Sequence, residues 1–362
     1  MASTKQNHIY LAIISLALLT FIGILNETSM NVTYPELSRE FGVSLDMVQW
    51  ITTGYLLMVT ITMGTTAYLL REFAARKLQL VAVSAFIIGD LMCALTCNFA
   101  LLLVGRLIQA VATGLSTPLL FHIIFTEIPR ERLGVMTGFA GMVISFAPAL
   151  GPTYGGWISA VSSWRMIFWL LLPFVLVSLV LGQLYISNQP IGNEKPFSYG
   201  SLISLAVALF TVVYGLALIG RSGLSWTVLA WLVAGAVFFA VFVYVNNHGQ
   251  SRLFDLSVFR SKPLRLSTLT YFNLQFINIG ISLVIPLYAQ YVLGSTSTVA
   301  GLILLPGSVC GALLAPFAGG LCDPGHLWGN PAAGGDGLLC PVPTGPDANV
   351  NYDLLHHPPG RL

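Results

Sequence analysis

Residues 99–127 read FALLLVGRLIQAVATGLSTPLLFHIIFTE, and Arg106 is the one charged side chain in this stretch before Glu127. The hydrocarbon core of a bilayer is about 30 Å thick, and about 20 apolar residues cross it as a helix, because the backbone must satisfy its own hydrogen bonds there. The stretch is therefore predicted to be a transmembrane helix, and it indicates the fold class of the whole chain.

The composition of the 362 residues agrees with this prediction, since 56% of them are hydrophobic. Only 8% are charged, against about 25% in an ordinary soluble domain. The mean hydropathy is +0.80. So few charges cannot cover a surface that faces water, and we expect an all-α polytopic membrane protein. The formal net charge of +2 excludes a nucleic-acid-binding field.

The sequence lacks the motifs of the enzyme and ATPase classes that a membrane protein could belong to. None of the four lysines follows a glycine, so no phosphate-binding Gly-x-x-x-x-Gly-Lys-Ser/Thr loop is present. Neither His-Glu-x-x-His nor Gly-x-Ser-x-Gly occurs. The five cysteines have neither disulfide nor zinc spacing. We expect no enzymatic activity, no metal and no cofactor.

Ten stretches of the chain are long and apolar enough to cross a bilayer. They are residues 9–33, 46–70, 78–97, 99–127, 134–160, 165–187, 199–220, 225–246, 267–294 and 299–320. Most connections between them are short, which favours antiparallel neighbours in one bundle. The loop at about 247–266 is interpreted as a cytoplasmic connection between two blocks of helices, although a surface-lying amphipathic helix fits it as well.

The basic residues of the loops predict the orientation of the chain. Eleven of them fall on one side of the membrane and three, Arg39, Arg165 and Arg221, fall on the other. By the positive-inside rule the N-terminus is cytoplasmic. We expect a multi-pass protein of the plasma (cell) membrane.

Two parts of the chain resemble each other, which indicates an internal repeat. The matched positions lie 251 or 252 residues apart, and they are Pro35, Gly42, Ala67 and Arg71 against Pro286, Gly294, Gly319 and Asp323. The two predicted helix pairs run in the same direction, as in transporters built from two parallel halves.

The pattern of membrane spans stops after about Asp323. Residues 324–362 contain seven prolines, seven glycines and no apolar run long enough to span. One interpretation is a flexible cytoplasmic tail. We favour the other, in which the chain departs from its parent sequence there through a frameshift or a truncation.

Three ionisable side chains fall inside predicted spans, where charges are expensive and usually functional. They are Glu27, Asp90 and Arg106. A carboxylate in hydrocarbon is pushed toward its neutral form and a nearby guanidinium pulls it back, so such a set can bind or release a proton. We predict that the three residues couple transport to protons. The alternatives are a static ion pair or a carboxylate in a water-filled cavity without a coupling role.

Polar and aromatic residues of the spans receive separate predictions. Asn26, Asn31 and Gln109 are assigned to the substrate cavity, although Asn26 would serve equally well as polar glue between helices. His122 is expected to be a satisfied interior histidine rather than a titrating switch. The tryptophans near predicted interfaces are expected to anchor there, and they are Trp157, Trp164 and Trp226.

The fifth span has small residues at 147, 151 and 155, which share one helix face and allow another backbone to approach closely. Pro152 removes one hydrogen bond from the helix and bends it. Together with Gly155-Gly156, these residues predict a pliable seam between helices.

These motifs resemble the major facilitator superfamily, and in particular its drug:proton antiporter family with fourteen spans. The likeness runs over residues 9–323. Gly151-Pro152-Thr-Tyr-Gly155-Gly156 is similar to the antiporter motif. The stretch Arg106-Leu-Ile-Gln109-Ala-Val-Ala-Thr-Gly114 resembles the span 4 motif that the family associates with proton coupling, with Ala110 in place of its first glycine. Residues 25–35 resemble the span 1 motif, with Asn26 where many members have an acid.

The loop between spans 2 and 3 resembles the family's gating loop with a reversed charge. Ala67-Tyr-Leu-Leu-Arg71 stands where the family has Gly-x-Leu-x-Asp. The resemblance implies that gating involves the charges of this loop and of its counterpart in the repeat, which are Arg71, Glu72, Arg76, Lys77 and Asp323.

The resemblance also implies a division of the chain into four segments. Residues 1–190 would form a six-helix N-terminal bundle, and 191–263 two extra helices with a cytoplasmic loop. Residues 264–323 would begin the C-terminal bundle, and 324–362 would be a Pro/Gly-rich tail outside the membrane. About ten helices of an expected fourteen are then present.

The implied function is that of a bacterial multidrug exporter, a subgroup that includes lincomycin-type resistance pumps. Proton entry would drive export of hydrophobic or cationic drugs by alternating access. The alternatives are an incomplete, non-transporting remnant of such an exporter, or a major facilitator carrier of another solute. The expected partners are a drug-like small molecule, protons and the lipid bilayer, with no nucleic acid, and the chain is expected to be monomeric.

Overall fold

The computed structural model describes residues 2–187, 197–223, 225–249, 253, 256–296 and part of 299–314, and all regular elements among these residues are helices. The α-helices are α1 Ala2–Ser29, α2 Tyr34–Phe41, α3 Leu45–Val48, α4 Trp50–Glu72, α5 Ala75–Leu95, α6 Phe99–Glu127, α7 Leu133–Val161, α8 Met166–Tyr185, α9 Tyr199–Ser222, α10 Trp226–His248 and α11 Lys262–Tyr291.

Eight segments of the described chain are long and apolar enough to cross a bilayer, and they match the first eight predicted spans. They are Asn7–Phe41, Leu45–Glu72, Ala75–Leu95, Phe99–Glu127, Arg130–Val161, Met166–Tyr185, Tyr199–Gly220 and Trp226–His248. Helix α11 covers most of the ninth predicted span. The tenth lies largely outside the described residues, as do Asp323 and the tail. The predicted class, an all-α polytopic membrane protein, is confirmed.

Local sequence signals set several helix ends. The side chain of Asn98 accepts a hydrogen bond from the Ala100 N–H at 2.8 Å and so caps the start of α6. Gly42 ends α2 in the left-handed region, with φ +64°. Gly294, its counterpart in the predicted repeat, follows α11 with φ +65°. The two matched glycines therefore share a conformation as well as a position after a helix.

The centre of the molecule is a bundle in which α1 packs against α6, α7 and α8, while α5 packs against α6 and α8. Glycines bring the backbones of α5 and α6 close together, because a Cβ on Gly89 would lie 2.5 Å from the carbonyl oxygen of Gly105. This close approach positions the buried polar side chains of both helices.

The helices α9 and α10 pack on each other and are joined to the bundle mainly through α4. Near one end of α4 the ring of Trp50 lies 6.2 Å from that of Phe210 and 6.0 Å from that of Tyr214. Near the other end the ring of Tyr68 lies 4.9 Å from that of Phe197. Aromatic contacts at both ends thus fix α9 along α4.

The expectation that Trp164 is an interfacial anchor is wrong. Its side chain is fully buried, and its ring packs edge-on against Phe41 and Phe168. Trp157 and Trp226 are exposed, as expected of anchors. The difference arises because the indole N–H of Trp164 has a polar partner in Glu40, near the end of α2, which the sequence does not reveal.

Candidate functional site

A chain of buried polar side chains joins α5 to α6. The amide Nε2 of Gln109 donates to Oδ1 of Asp90 at 2.9 Å, and Arg106 donates through one terminal nitrogen to Oε1 of Gln109 at 2.9 Å. All three side chains are buried. Arg106 and Gln109 lie three residues apart, on the same face of α6. Gln109 therefore connects an acid and a base that do not contact each other directly.

The guanidinium of Arg106 also lies over an aromatic ring, with its central carbon 4.3 Å from the ring centroid of Tyr55. This geometry is that of a cation–π contact. The Tyr55 hydroxyl lies 3.1 Å from the carbonyl oxygen of Gly23 and 2.6 Å from Oγ1 of Thr113. Tyr55 thus holds α1, α4 and α6 together around the arginine. Tyr55 was not among the predicted site residues. The sequence offered one indication of its role, namely that a tyrosine lies inside an apolar span.

Several buried polar atoms near this cluster have no hydrogen-bond partner in the part of the chain that the structure describes. They include Nε and one terminal nitrogen of Arg106 and both amide atoms of Asn26. Asn26 follows Gly23 by three residues and so lies on the same face of α1. A buried donor without a partner is unfavourable by about 1–3 kcal/mol. These atoms therefore keep hydrogen-bonding capacity that the described residues do not use.

Glu27 lies next to Asn26 on α1 and is partly exposed. It interacts electrostatically with Arg106, as Asp90 does. Within the described residues, Glu27 makes neither a hydrogen bond nor a salt bridge. The structure thus brings the three predicted coupling residues into one electrostatic cluster, in which Arg106 is the shared cation.

Asn31 belongs to a different network. Its Oδ1 accepts hydrogen bonds from the Tyr34 hydroxyl at 2.9 Å and from the Thr52 hydroxyl at 3.1 Å. These contacts join the segment after α1 to the start of α4. No hydrogen bond among the described residues connects this network to Arg106.

The predicted seam lies between α7 and α1. A Cβ on Gly151 would collide with the side chain of Thr28, and a Cβ on Gly155 would collide with the backbone of Ser29. Gly151, Pro152, Gly155 and Gly156 are all buried. The predicted close approach is therefore present, and it begins directly after Asn26 and Glu27 on α1.

The charges of the loop between α4 and α5 are not paired with one another. Arg71 and Lys77 are exposed. Arg76 donates through Nε to Oε1 of Gln183 on α8 at 3.2 Å. The Gln183 amide donates in turn to Oε1 of Gln79 at 2.7 Å. Within the described residues Arg71, Glu72, Arg76 and Lys77 form no salt bridge, and the fifth predicted gating residue, Asp323, lies outside them.

A cluster at the opposite ends of the helices was not predicted. Arg165 and Glu40 form an ion pair at 2.7 Å, and the indole N–H of Trp164 donates to the other carboxylate oxygen at 2.6 Å. Arg165 also donates to the carbonyl oxygen of Thr96 at 2.9 Å. The end of α2, the residue after α5 and the residues before α8, which are remote in sequence, therefore meet on one face. The signal available in the sequence was one acid and one base in loops of the same predicted side.

Comparison with known proteins agrees with this architecture. The family model described as "Major Facilitator Superfamily" matches residues 16–335. The chain is 36% identical over 304 residues to "Lincomycin resistance protein LmrB" of Listeria monocytogenes, covering 84% of this chain and 64% of that protein. It is 32% identical to the protein of the same name in Bacillus subtilis, covering 89% and 68%. It is 29% identical to "Multidrug resistance protein B homolog" of Mycobacterium tuberculosis, covering 82% and 55%. The chain thus spans roughly two thirds or less of these relatives' lengths.

Solved structures resemble the chain in fold. A POT family transporter in complex with a thioalcohol-conjugated peptide superposes with a TM-score of 0.59 at 16% identity, covering 85% of this chain and 68% of that one. The proton:xylose symporter XylE gives a TM-score of 0.57 at 15% identity, covering 87% and 69%.

The family match covers most of the chain, and the multi-pass helical bundle is the fold of the matched structures. Proteins of this family are membrane transporters rather than enzymes in general. Among the described residues, no cluster of three His, Cys, Asp or Glu side chains could hold a metal ion. The chain belongs to the Major Facilitator Superfamily and, within it, to the multidrug exporter family of its lincomycin- and multidrug-resistance relatives.

Proposed function

We propose that this chain is part of a proton-coupled antiporter that exports hydrophobic or cationic drugs by alternating access. The observation that carries the proposal is the buried chain Asp90–Gln109–Arg106. Ionisable groups at such depth are expensive and usually lie on an ion or proton pathway. Helix packing alone does not require an acid and a base joined by one amide.

The coupling step follows from the single cation shared by two carboxyl groups. Arg106 can compensate the negative charge of one carboxylate fully, or of both only in part. A proton arriving on Asp90 or Glu27 therefore changes which of them Arg106 favours. The unpartnered nitrogens of Arg106 leave room for that exchange without breaking its bond to Gln109.

A cationic substrate would compete for the same carboxylates. A drug cation that bound beside Glu27 and Asn26 would favour loss of the proton through its positive charge. Proton and drug would then occupy the site in turn, which is the requirement for antiport. The names of the lincomycin- and multidrug-resistance relatives support a drug-like substrate.

The seam between α1 and α7 would carry the conformational change. Gly151 and Gly155 allow direct contact between the two helices next to Glu27, so a shift of α7 would move the coupling residue. We propose that residues 1–190 and 264–323 belong to two halves that rock against each other, and that the segment 191–263 accompanies them. We further propose a monomer in the plasma membrane, with a cytoplasmic N-terminus.

The proposal is tested with the 362-residue chain reconstituted in proteoliposomes. An acidic interior should drive ethidium into the vesicles, accompanied by proton exit that an internal pH dye reports. Asp90→Asn and Arg106→Ala should abolish the gradient-driven accumulation. Glu131→Gln is the matched control, because Glu131 is an exposed carboxylate beyond the end of α6.

Glu27→Gln completes the set, since Asp90 and Glu27 are the two carboxyl groups that interact with Arg106. Gradient-driven accumulation that survives in both Asp90→Asn and Glu27→Gln contradicts the coupling role. Ethidium accumulation by the unmodified chain that does not depend on the pH gradient contradicts antiport itself.

A further inference from the structure

A cavity lies far from the Arg106 cluster. It has a volume of about 420 Å³ and is formed by the start of α1, the loop between α4 and α5, and the last turns of α6 and α8. Its volume falls in the range of small-molecule sites, about 300–1,000 Å³. His122, which lines it, follows Arg106 by sixteen residues on α6, and that separation corresponds to about 24 Å along a helix.

Part of the cavity wall is apolar and continuous with a buried core. Ile123 is buried, and Ile9 and Leu70 are partly buried against the same cluster of α1, α5, α6 and α8. Phe73 also lines the cavity, and 48% of its surface is exposed. A phenyl ring that remains half exposed beside an apolar wall gains from contact with an apolar ligand.

The cavity has several polar lining groups, and Glu127 supplies a carboxyl group; the others are His8, His122, Thr126, Tyr185 and Ser187. Among the described lining residues, Glu127 is the one with a formal charge. Arg76, at the start of α5, directs its guanidinium to Gln183 on α8 instead. His8 and Tyr185 form an aromatic pair at the rim, with ring centroids 5.1 Å apart. A carboxylate and aromatic rings that line the same cavity are suited to an ammonium group.

We propose that this cavity binds lipophilic amines. The ammonium would pair with Glu127 and the apolar body would lie between Ile123, Leu70 and Phe73. His122 lies between these two parts, on the same turn of α6 as Ile123 and one turn before Glu127. A metal ion is not the favoured ligand, since no metal-binding group of three side chains exists among the described residues. The proposal does not rest on proton coupling, because the site is built by other residues.

The test uses monodansylcadaverine, a fluorescent amine whose emission shifts to the blue in an apolar site. The full chain is purified in a non-ionic detergent, and binding is titrated by fluorescence. Glu127→Gln should weaken binding about two- to fivefold, because Glu127 is exposed and an ion pair with an exposed carboxylate is worth about 0–1 kcal/mol. Ile123→Trp, which fills the cavity, should remove the blue shift. Glu131→Gln, a carboxylate outside the cavity, should bind like the unmodified chain.

The N-acetyl derivative of the probe is neutral and isolates the contribution of the charge. It should bind the unmodified chain about two- to fivefold more weakly than the amine does, and it should bind the unmodified chain and the Glu127→Gln variant with equal affinity. This comparison holds even where Ile123→Trp fails to fold.

Three results would overturn the proposal. The first is equal affinity of amine and N-acetyl derivative for the unmodified chain. The second is unchanged amine affinity in Glu127→Gln, and the third is tighter binding of a dansylated fatty acid than of the amine. Amine binding that persists when ethidium transport is absent would count against the antiport proposal and leave this one standing.

Discussion

Gln109 is the residue through which Asp90 and Arg106 are connected. Its amide offers one donor and one acceptor in the required directions, donating to Asp90 and accepting from Arg106. A glutamine side chain can fill both roles, because its carboxamide carries a donor and an acceptor at the end of a side chain long enough to reach both partners. The pair of glycines Gly89 and Gly105 makes the connection geometrically feasible by bringing α5 onto α6.

Replacement of Gln109 by leucine should therefore destabilise the fold more than Asp90→Asn. The leucine keeps the volume but leaves Asp90 and a further nitrogen of Arg106 without partners, at about 1–3 kcal/mol each. The asparagine at 90 still accepts from Gln109. Thermal unfolding in detergent should show a clearly lower melting temperature for Gln109→Leu alone. A larger loss for Asp90→Asn would mean that the charge of Asp90, rather than the amide, holds the cluster together.

Much of this site was predictable as a list of residues but not as a set of contacts. Asp90, Arg106 and Gln109 stand out because ionisable and amide groups are rare in apolar spans. Tyr55 does not stand out, because a tyrosine in a span is more often an interfacial or packing residue. Its role depends on which face of α4 meets α1 and α6, and helical periodicity within one span does not contain that information.

At the scale of helices, the sequence predicts that α7 approaches another helix closely but not which one. The spacing of Ala147, Gly151 and Gly155 creates a flat face. The structure places that face on Thr28 and Ser29 of α1. Partner choice depends on the packing of the whole bundle, and this is why span boundaries were predicted well while helix neighbours were not.

Gly155→Ala should loosen the α1–α7 contact, because the added methyl would collide with the backbone of Ser29. Overpacking of this kind destabilises by about 1–3 kcal/mol. Gly141→Ala, on the same helix, is the matched control, since nothing lies within 4 Å of its added Cβ. The control should be neutral or slightly stabilised, because alanine favours helix over glycine. Equal melting temperatures for the two variants would mean that α1 and α7 can separate at the seam without a measurable loss of stability.

At the scale of the whole molecule, contacts between helix ends indicate which ends share a face, and the distribution of basic residues predicts which face is cytoplasmic. Glu40, Thr96 and Arg165 come from three alternate connections, and their mutual contacts place those connections on one face. The ion pair itself contributes little, since both side chains are partly exposed and a surface pair is worth about 0–1 kcal/mol. The ion pair matters because it joins helix ends on one face. Successive long helices therefore cross the molecule in alternating directions, as the predicted spans require. These contacts show which helix ends share a face. The cytoplasmic face is predicted by the excess of basic residues, which lies on the opposite face.

Cysteine labelling can decide the orientation, because Cys97 is exposed and lies on the same face as Arg165, whereas Cys93 is buried. In a chain with Cys310, Cys322 and Cys340 changed to serine, a membrane-impermeant maleimide added to intact cells should label Cys97. A variant that combines Cys97→Ser with Glu131→Cys has its thiol on the opposite face of the membrane. This variant should be labelled only in inverted vesicles. The opposite pattern would place the basic loops outside, and Glu127 with the amine cavity would then face the external medium. The positive-inside rule makes the first pattern the expected one, since loops with an excess of arginine and lysine are retained in the cytoplasm.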